Sequence, residues 1–215
     1  MNINETLENT RVSYRNADFD INTCNPNPQT QFDKWFKDAV NSNCDEPNAF
    51  VLSTIEQNKP RARVVLLKGI HQGCFAFYTN YKSSKGKEVT DNCHVSMTFL
   101  WLPLQRQVRI EGTLGKIGAS FSDEYFQKRP RGSQIGAIAS PQSQKVSSRQ
   151  ELEKLFNDTE VKYSGQSELE RPLHWGGYLI KPSYFEFWQG RENRMHDRII
   201  YENHAGGWML SRLAP

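Results

Sequence analysis

The feature that most constrains the fold is a series of short β-branched and aromatic runs, broken by turn residues, between positions 49 and 117. Runs of this kind are typical of strands. The short turns Gln57–Pro60 and His71–Gly73 predict hairpins, so we expect the first three strands to be antiparallel neighbours. Five such strands favour a barrel. They are Ala49–Ile55, Arg61–Lys68, Cys74–Thr79, His94–Trp101 and Gln105–Ile117.

A helix is predicted before the strands. Asn27 can cap its first turn, and Pro28 suits the first helical position. Apolar residues then recur at the i, i+3, i+4, i+7 and i+8 spacing of an amphipathic helix with one buried face. They are Phe32, Trp35, Phe36, Ala39 and Val40.

A second helical stretch follows the strands and leads to a second group of strands. Ser148 and Glu151 have the spacing of a capping box. In the helix that this box starts, a buried stripe is predicted at Leu152, Leu155 and Phe156. The predicted helices are Asp123–Lys128, Ser133–Ala139 and Ser148–Tyr163, and the later strands are Trp175–Ile180, Tyr184–Gln189, Arg198–Glu202 and Trp208–Leu213.

The order of these elements predicts an α+β fold built on an antiparallel barrel with flanking helices. Residues 1–27 are polar and rich in Asn and Asp, so we expect a flexible N-terminal arm there. Residues 28–215 contain no repeat, low-complexity tract or long linker, which predicts a single domain.

Composition and the missing motifs exclude several classes of protein. Subtracting 24 Asp and Glu from 27 Lys and Arg gives a net charge of +3, too small for a dedicated nucleic-acid binder. The sequence has no membrane span and no apolar signal segment, so we expect a cytoplasmic protein. The four cysteines form no C-x-x-C pair and are expected to be reduced packing residues. No histidines pair at metal-ligand spacing, and G-x-G-x-x-G and G-x-S-x-G are absent, so we expect no metal centre, Rossmann site or serine nucleophile.

One candidate anion site lies where two short helices meet. Tyr125 and Arg129 are one helical turn apart, Pro130 ends that turn, and Ser133 starts the next helix. Phenol, guanidinium and hydroxyl donors match the oxygens of a phosphate. The alternative is a solvated helix end with an arginine near its carbonyls, and the spacing alone favours that alternative.

Two further segments carry cations at structured positions. In a β-strand the side chains of Arg63 and Lys68 would point to opposite faces of the sheet. They would therefore bind different ligands, or one ligand in a site around the strand end. The alternative is that these charges keep an exposed edge strand from pairing with another chain. The segment Tyr78–Gly86 passes from strand to helix and could present hydroxyls and Lys85 to a second phosphate, although an ordinary helix cap has the same pattern.

The segment 187–198 favours a ligand site most strongly. In an extended chain, Arg194, His196 and Arg198 would share one face beside the flat ring of Trp188. Three such groups repel one another unless an anion or a π-system lies between them, and Asp197 points to the other face. A polar strand is the alternative.

Eight strings in order resemble the pyridoxamine 5'-phosphate oxidase family, over about Arg11 to Pro215. They are R-V-V-L-L-K (63–68), F-Y-T-N (77–80), R-Q-V-R-I-E-G (106–112), R-P-R-G-S-Q-I-G-A (129–137), H-W-G-G-Y (174–178), E-F-W-Q-G (186–190), R-M-H-D-R (194–198) and R-L-A-P (212–215). The resemblance implies a homodimeric split β-barrel of antiparallel, Greek-key type that binds FMN. It also implies oxidation of pyridoxamine or pyridoxine 5'-phosphate to pyridoxal 5'-phosphate, with O2 as acceptor and H2O2 as product.

The resemblance also assigns roles to individual residues. It implies substrate binding by Arg11, Tyr14, Lys68, Tyr125, Arg129, Ser133, Arg194 and His196, the last two also being the catalytic pair. It implies FMN binding by Arg63, Val64, Val65, Leu66, Leu67, Lys68, Tyr78, Thr79, Ser84, Lys85, Gln107, Gln142, Ser143, Trp188 and Arg198.

Three positions depart from the family's usual pattern. Ser84 stands where an Arg is usual, which predicts weaker binding of the flavin phosphate. Met195 replaces a Leu of similar volume, and Ile138 stands where a Trp is common. Two alternative functions stay open: a related flavin oxidase of another ring, such as a phenazine-pathway oxidase, and a non-catalytic protein that binds FMN or pyridoxal phosphate.

Overall fold

The computed structural model describes residue 7, residues 13–14 and residues 18–215. These residues form two compact units. Unit 1 contains the described residues up to Phe50, together with Met97–Glu111 and Ser183–Pro215. Unit 2 contains Val51–Ser96 and Gly112–Pro182.

The described residues form an antiparallel sheet with flanking helices. The helices are α1 (Pro28–Asn41), α2 (Ser84–Asp91), α3 (Ala119–Gln127), α4 (Arg131–Ala139) and α5 (Arg149–Lys162), with short 3-10 turns at Ile21–Thr23, Leu102–Leu104 and Glu192–Arg194. The strands are β1 (Ala49–Glu56), β2 (Lys59–Leu66), β3 (Gly69–His71), β4 (Cys74–Asn80), β5 (His94–Trp101), β6 (Arg106–Lys116), β7 (Trp175–Gln189), β8 (Asp197–His204) and β9 (Gly207–Leu213).

The strand order is β2-β1-β5-β6-β7-β4-β3, with β8 paired to β7 and β9 to β8. The sequence prediction of an antiparallel α+β fold is confirmed, although the hydrogen-bonded path of described strands does not close into a ring. β1 and β2 are neighbours as expected. The expected pairing of the second and third strands is wrong, because β2 ends at Leu66 and the separate short strand β3 pairs with β4.

Helix α1 forms as its sequence predicts and anchors the core of unit 1. The Asn27 side chain accepts hydrogen bonds from the first helical N–H groups, and Pro28 occupies the first turn. Phe32 and Trp35 are buried, and their rings contact Phe99 at 5.2 Å and Phe187 at 5.2 Å between centroids. Burying large aromatic rings is among the strongest stabilising contributions that a small core can have. Val40, at the end of the predicted stripe, is exposed.

Helix α5 differs from its prediction in two respects. Ser148 does accept the N–H of Glu151, at 3.1 Å. The Glu151 carboxylate, however, accepts from the N–H and hydroxyl of Ser147 instead of closing a reciprocal box with Ser148. The expected buried stripe is wrong, because no residue of α5 is fully buried and Leu152, Leu155 and Phe156 are half-buried.

β7 is one strand of 15 residues, although two strands were predicted there. Pro182 and Ser183 interrupt the apolar pattern of the sequence, but the strand continues through them. Within unit 2, Gly112 of β6 lies so close to the backbone of Lys181 and Pro182 that a Cβ atom at position 112 would overlap the Lys181 carbonyl. A glycine is therefore required at this close approach.

Within the described ranges, no helix is long and apolar enough to span a membrane. Those ranges also contain no group of three His, Cys, Asp or Glu side chains that could hold a metal ion. The four cysteines are unpaired, as expected. Their predicted packing role is limited, because three are half-buried and Cys93 is exposed.

We predict that Gly112→Ala lowers the free energy of unfolding by roughly 1–3 kcal/mol, the usual effect of overpacking. Gly115→Ala, on the same strand, is the matched control, because a Cβ there meets no atom within 4 Å. Urea unfolding of both variants at one protein concentration measures the difference. Equal losses in the two variants would contradict the role of the close approach.

Candidate functional site

Unit 2 contains a cavity of about 680 Å³ lined by many of the predicted site residues. Cavities of this size are typical of cofactor and substrate sites. The predicted residues in its lining are Arg63, Val64, Val65, Leu66, Lys68, Tyr78, Thr79, Lys85, Tyr125, Arg129, Ser133 and Gln142, and the other lining residues are Asn80, Gly136, Ala137, Ser140 and Trp175.

The cavity receives Arg63 and Lys68 from either side of the end of β2. Strand alternation predicts that the two side chains diverge. β2 ends at Leu66, however, and the Lys68 N–H bonds the Ala76 carbonyl at 2.8 Å. Because alternation no longer applies beyond the strand, both cations line the same cavity.

Arg63 is held in the cavity wall by a buried carboxylate. Glu88 of α2 is only 3% exposed, and its Oε2 lies 2.6 Å from Arg63 Nη2. The Thr54 hydroxyl donates to the same Oε2, and Arg63 Nη1 donates to that hydroxyl. The guanidinium is therefore anchored through two nitrogens.

Lys85 enters the cavity from the first turn of α2. Ser83 caps that helix by accepting the Gly86 N–H. The Lys85 ammonium donates to Thr79 Oγ1 at 3.0 Å, and the Thr79 hydroxyl donates to Gln142 Oε1 at 3.2 Å. Burial lowers the pKa of Lys85, and the nearby Arg63 lowers it further. A bound anion would stabilise the charged form of this lysine.

A fourth cation, Arg129, lines the same cavity at the α3–α4 junction. The Ser133 N–H bonds the Pro130 carbonyl at 2.8 Å, which starts α4 one turn after Arg129. The Arg129 guanidinium lies 4.6 Å from the ring centre of Trp175, and burial lowers its pKa. Its Nη1 is buried and has no hydrogen-bond partner within the described part of the chain. A phosphate oxygen is the acceptor that would satisfy this nitrogen.

Three nearly parallel rings form a stack that is one wall of the cavity. Tyr78 stacks on Tyr125 with centroids 3.9 Å apart and on Trp175 with centroids 5.7 Å apart. Burial raises the pKa of both tyrosines, so each keeps its phenolic proton at neutral pH. The wall therefore combines apolar ring faces with hydroxyl donors.

Unit 1 contains a separate ring cluster. The rings of Trp188 and His196 lie 4.6 Å apart, and Tyr14 contacts each of them at 5.8 Å. His196 Nδ1 accepts the Arg191 N–H at 3.1 Å. Burial and then the charge of Arg194 lower the pKa of His196, which leaves the imidazole neutral at neutral pH.

The predicted extended face of Arg194, His196 and Arg198 is wrong. Residues Glu192–Arg194 form a 3-10 turn, Arg194 has a φ of 61°, and β8 begins only at Asp197. The expected repulsion is also relieved without a ligand, because Arg198 Nε donates to the buried Glu186 at 2.7 Å. This bond raises the pKa of Arg198. Trp188 lies beside His196 as expected.

Several predicted residues lie outside the cavity lining. In unit 2, Leu67 is buried, and Ser84 and Ser143 are exposed. Gln107 lies on β6 in unit 1. Arg11 lies outside the described residues.

Sequence reasoning missed three residues that hold the predicted ones. They are Glu88 beside Arg63, Trp175 beneath Arg129, and Glu186 beside Arg198. The sequence could have indicated Glu186, because it is a charged residue in an otherwise apolar run and points to the same face of the strand as Trp188. Glu88 and Trp175 are remote in sequence from their partners and had none.

Two family models match the chain. The model described as pyridoxamine 5'-phosphate oxidase matches residues 36–163. The model described as the pyridoxine 5'-phosphate oxidase C-terminal dimerisation region matches residues 175–215.

Curated relatives match over nearly the full length. A pyridoxine/pyridoxamine 5'-phosphate oxidase of Salinibacter ruber is 47% identical over 97% of this chain and 99% of its own. One of Paraburkholderia phymatum is 46% identical over 98% of this chain and 99% of its own.

Solved structures share the fold. PhzG from Burkholderia lata, solved with tetrahydrophenazine-1-carboxylic acid, has a TM-score of 0.87 at 25% identity and covers 95% of this chain and 100% of its own. A pyridoxamine 5'-phosphate oxidase-related, FMN-binding protein from Nostoc punctiforme has a TM-score of 0.71 at 15% identity over 85% of this chain and 96% of its own. Because one family model matches residues 36–163 and curated relatives are 46–47% identical over nearly the whole chain, this chain belongs to the pyridoxamine 5'-phosphate oxidase family.

Proposed function

We propose that this chain is an FMN-dependent oxidase that converts pyridoxamine or pyridoxine 5'-phosphate to pyridoxal 5'-phosphate. The observation that carries the proposal is one cavity with two groups of cations and an aromatic stack. We call the part with Arg63 and Lys85 its first end, and the part with Arg129, which has an unsatisfied buried nitrogen, its second end. A phosphorylated flavin and a phosphorylated pyridine ring together present two phosphates and two flat rings.

The residues at the first end fit the flavin phosphate. Arg63 and Lys85 supply charge, and Thr79 and Gln142 form the polar chain that holds Lys85. The rest of the implied flavin set is carried over from the family: Val64, Val65, Leu66, Leu67, Lys68, Tyr78, Ser84, Gln107, Ser143, Trp188 and Arg198. FMN, when bound, supplies the two-electron acceptor that no side chain provides, and O2 then takes those electrons to become H2O2.

The residues at the second end fit the substrate phosphate. Arg129 donates from its unsatisfied nitrogen, Lys68 adds a charge, and the hydroxyls of Tyr125 and Ser133 donate further hydrogen bonds. Anchoring the phosphate would restrict where the reacting carbon, next to the pyridine ring, lies in the site, which reduces the entropy lost on reaching the transition state.

In unit 1 we assign Arg194 and His196 to the pyridine ring of the substrate. His196 is held by its Nδ1 bond from the Arg191 N–H, so its Nε2–H is the atom that can donate. Tyr14 contacts His196 and Trp188, which supports a part for Tyr14, and with it Arg11, in an arm that closes on the substrate.

The assembly and location are further parts of the proposal. The C-terminal dimerisation region supports a homodimer. We propose the cytoplasm as the location and residues 28–215 as one functional domain. The predicted flexible arm, residues 1–27, lies partly outside the described residues, and its described residue Phe19 is buried against Trp35.

A purified, FMN-loaded sample tests the proposal. We predict yellow protein whose flavin absorbance bleaches when pyridoxine or pyridoxamine 5'-phosphate is added without oxygen, and returns with H2O2 when air is admitted. Colour without bleaching would favour the non-catalytic binder. Bleaching only by a reduced phenazine precursor would favour a PhzG-like oxidase.

Arg129→Gln tests the substrate-phosphate end. A hydrogen bond to a charged group contributes about 1.5–3 kcal/mol, so we predict that KM for pyridoxine 5'-phosphate rises at least about tenfold while FMN content is retained. Lys128→Gln is the control, because this neighbouring cation is exposed and pairs with Glu124. Loss of flavin with an unchanged KM would overturn the assignment.

Arg194→Ala and His196→Ala test the unit 1 residues. We predict that both variants lose turnover or substrate affinity far more than FMN content, because neither residue lines the cavity that would hold the flavin phosphate. Steady-state kinetics and the ratio of flavin to protein absorbance measure the two effects. Equal losses of flavin and activity would refute this role.

A further inference from the structure

Glu88 is a buried carboxylate that pairs with Arg63 of the cavity lining, and the functions proposed above do not use it. Its side chain is 2% exposed, yet it lies at an end that would bind an anion. Removing a carboxylate from water costs several kcal/mol unless its partners compensate. Its partners here are Arg63 and Thr54.

We propose that Glu88 is a positioning residue that aims Arg63 at the flavin phosphate and offsets the charge of Arg63 and Lys85 before the flavin binds. In this role it sets how strongly the site prefers a phosphorylated flavin to an unphosphorylated one. The inference rests on the proposed FMN binding.

The hydrogen bonds support the positioning part. Arg63 Nη2 is bonded to Glu88, and Nη1 to Thr54, whose own proton goes to Glu88. These three groups form a closed ring of bonds that restricts the guanidinium. A guanidinium has five N–H donors, so this anchoring leaves donors for a phosphate.

The charges support the second part. Arg63 opposes the protonation of Lys85, and Glu88 favours it. Two cations and one carboxylate give this end a net charge of about +1, whereas a phosphate monoester carries roughly −1.5 to −2 at neutral pH. Glu88 therefore stabilises the two cations in the empty cavity and weakens the attraction that remains for the phosphate.

Glu88→Gln distinguishes the positioning of Arg63 and the offset of charge from a merely structural role of Glu88. The amide oxygen can still accept from Arg63 and Thr54, but the net charge rises by one. We predict that FMN affinity rises on the order of tenfold while riboflavin affinity is unchanged. Glu88→Ala also releases Arg63, so its preference for FMN over riboflavin should fall below that of Glu88→Gln.

Fluorescence titration of the flavin-stripped, full-length protein with FMN and with riboflavin measures both affinities. Glu56→Gln is the matched control, since Glu56 forms the same kind of pair with Arg61 at 2.7 Å, but half-exposed and outside the cavity lining. It should change neither affinity. Thr54→Val is a second variant should Glu88→Gln not fold: it keeps every charge but removes one anchor of Arg63, and should weaken FMN selectively.

The outcomes are distinct. If the unaltered protein does not prefer FMN to riboflavin, the proposed cofactor is wrong. If it does prefer FMN, three results for Glu88→Gln would overturn the inference on Glu88. They are affinities equal to those of Glu56→Gln, an equal loss of affinity for FMN and riboflavin, and a loss of affinity for FMN alone. The inference is likewise overturned when Thr54→Val leaves the preference for FMN unchanged.

Discussion

The continuity of β7 is the constraint on which both groups of site residues depend. The strand starts at Trp175, which stacks on Tyr78 in unit 2, and its next-to-last residue is Trp188, which contacts His196 in unit 1. Its first half pairs with β4 and its second half with β8. A slip of one residue would turn every side chain of the strand to the opposite face. The close approach at Gly112 holds the middle of the strand, where Pro182 can donate no ladder hydrogen bond.

The cations of the two units are stabilised in two different ways. Arg63 and Arg198 each pair with a buried glutamate, Glu88 and Glu186 respectively. Arg129, in contrast, lies over the ring of Trp175 and keeps a nitrogen without an acceptor. A cation over an aromatic ring is stabilised without losing its charge to a counter-ion. The end with Arg129 is therefore open to an anion, whereas the end with Arg63 is partly neutralised by Glu88.

The sequence predicted the features that depend on local spacing. Helix periodicity placed Tyr125 and Arg129 one turn apart, and capping placed Lys85 at the start of α2. The sequence-based prediction failed where the backbone is not a regular strand. β2 ends before Lys68, and the positive φ angles of Asn193 and Arg194 interrupt the expected strand. Partners distant in sequence, such as Glu88 for Arg63, follow from tertiary packing alone. The resemblance to a family supplied roles that spacing left open, since spacing alone favoured a solvated helix end at Arg129.

The small net charge of +3 is consistent with this arrangement. Ser84 stands where the family resemblance leads one to expect an arginine, and Glu88 pairs with Arg63, so Arg63, Lys85 and Glu88 together carry a net charge of about +1. Where the net charge is this small, the phosphate of the proposed flavin would depend on hydrogen bonds as well as on charge. Its ring would depend on apolar contact, and binding of that kind is less sensitive to salt than binding between free charges. The net charge is smaller than expected for a nucleic-acid surface, but the pairing of individual cations determines which anion each end can accept.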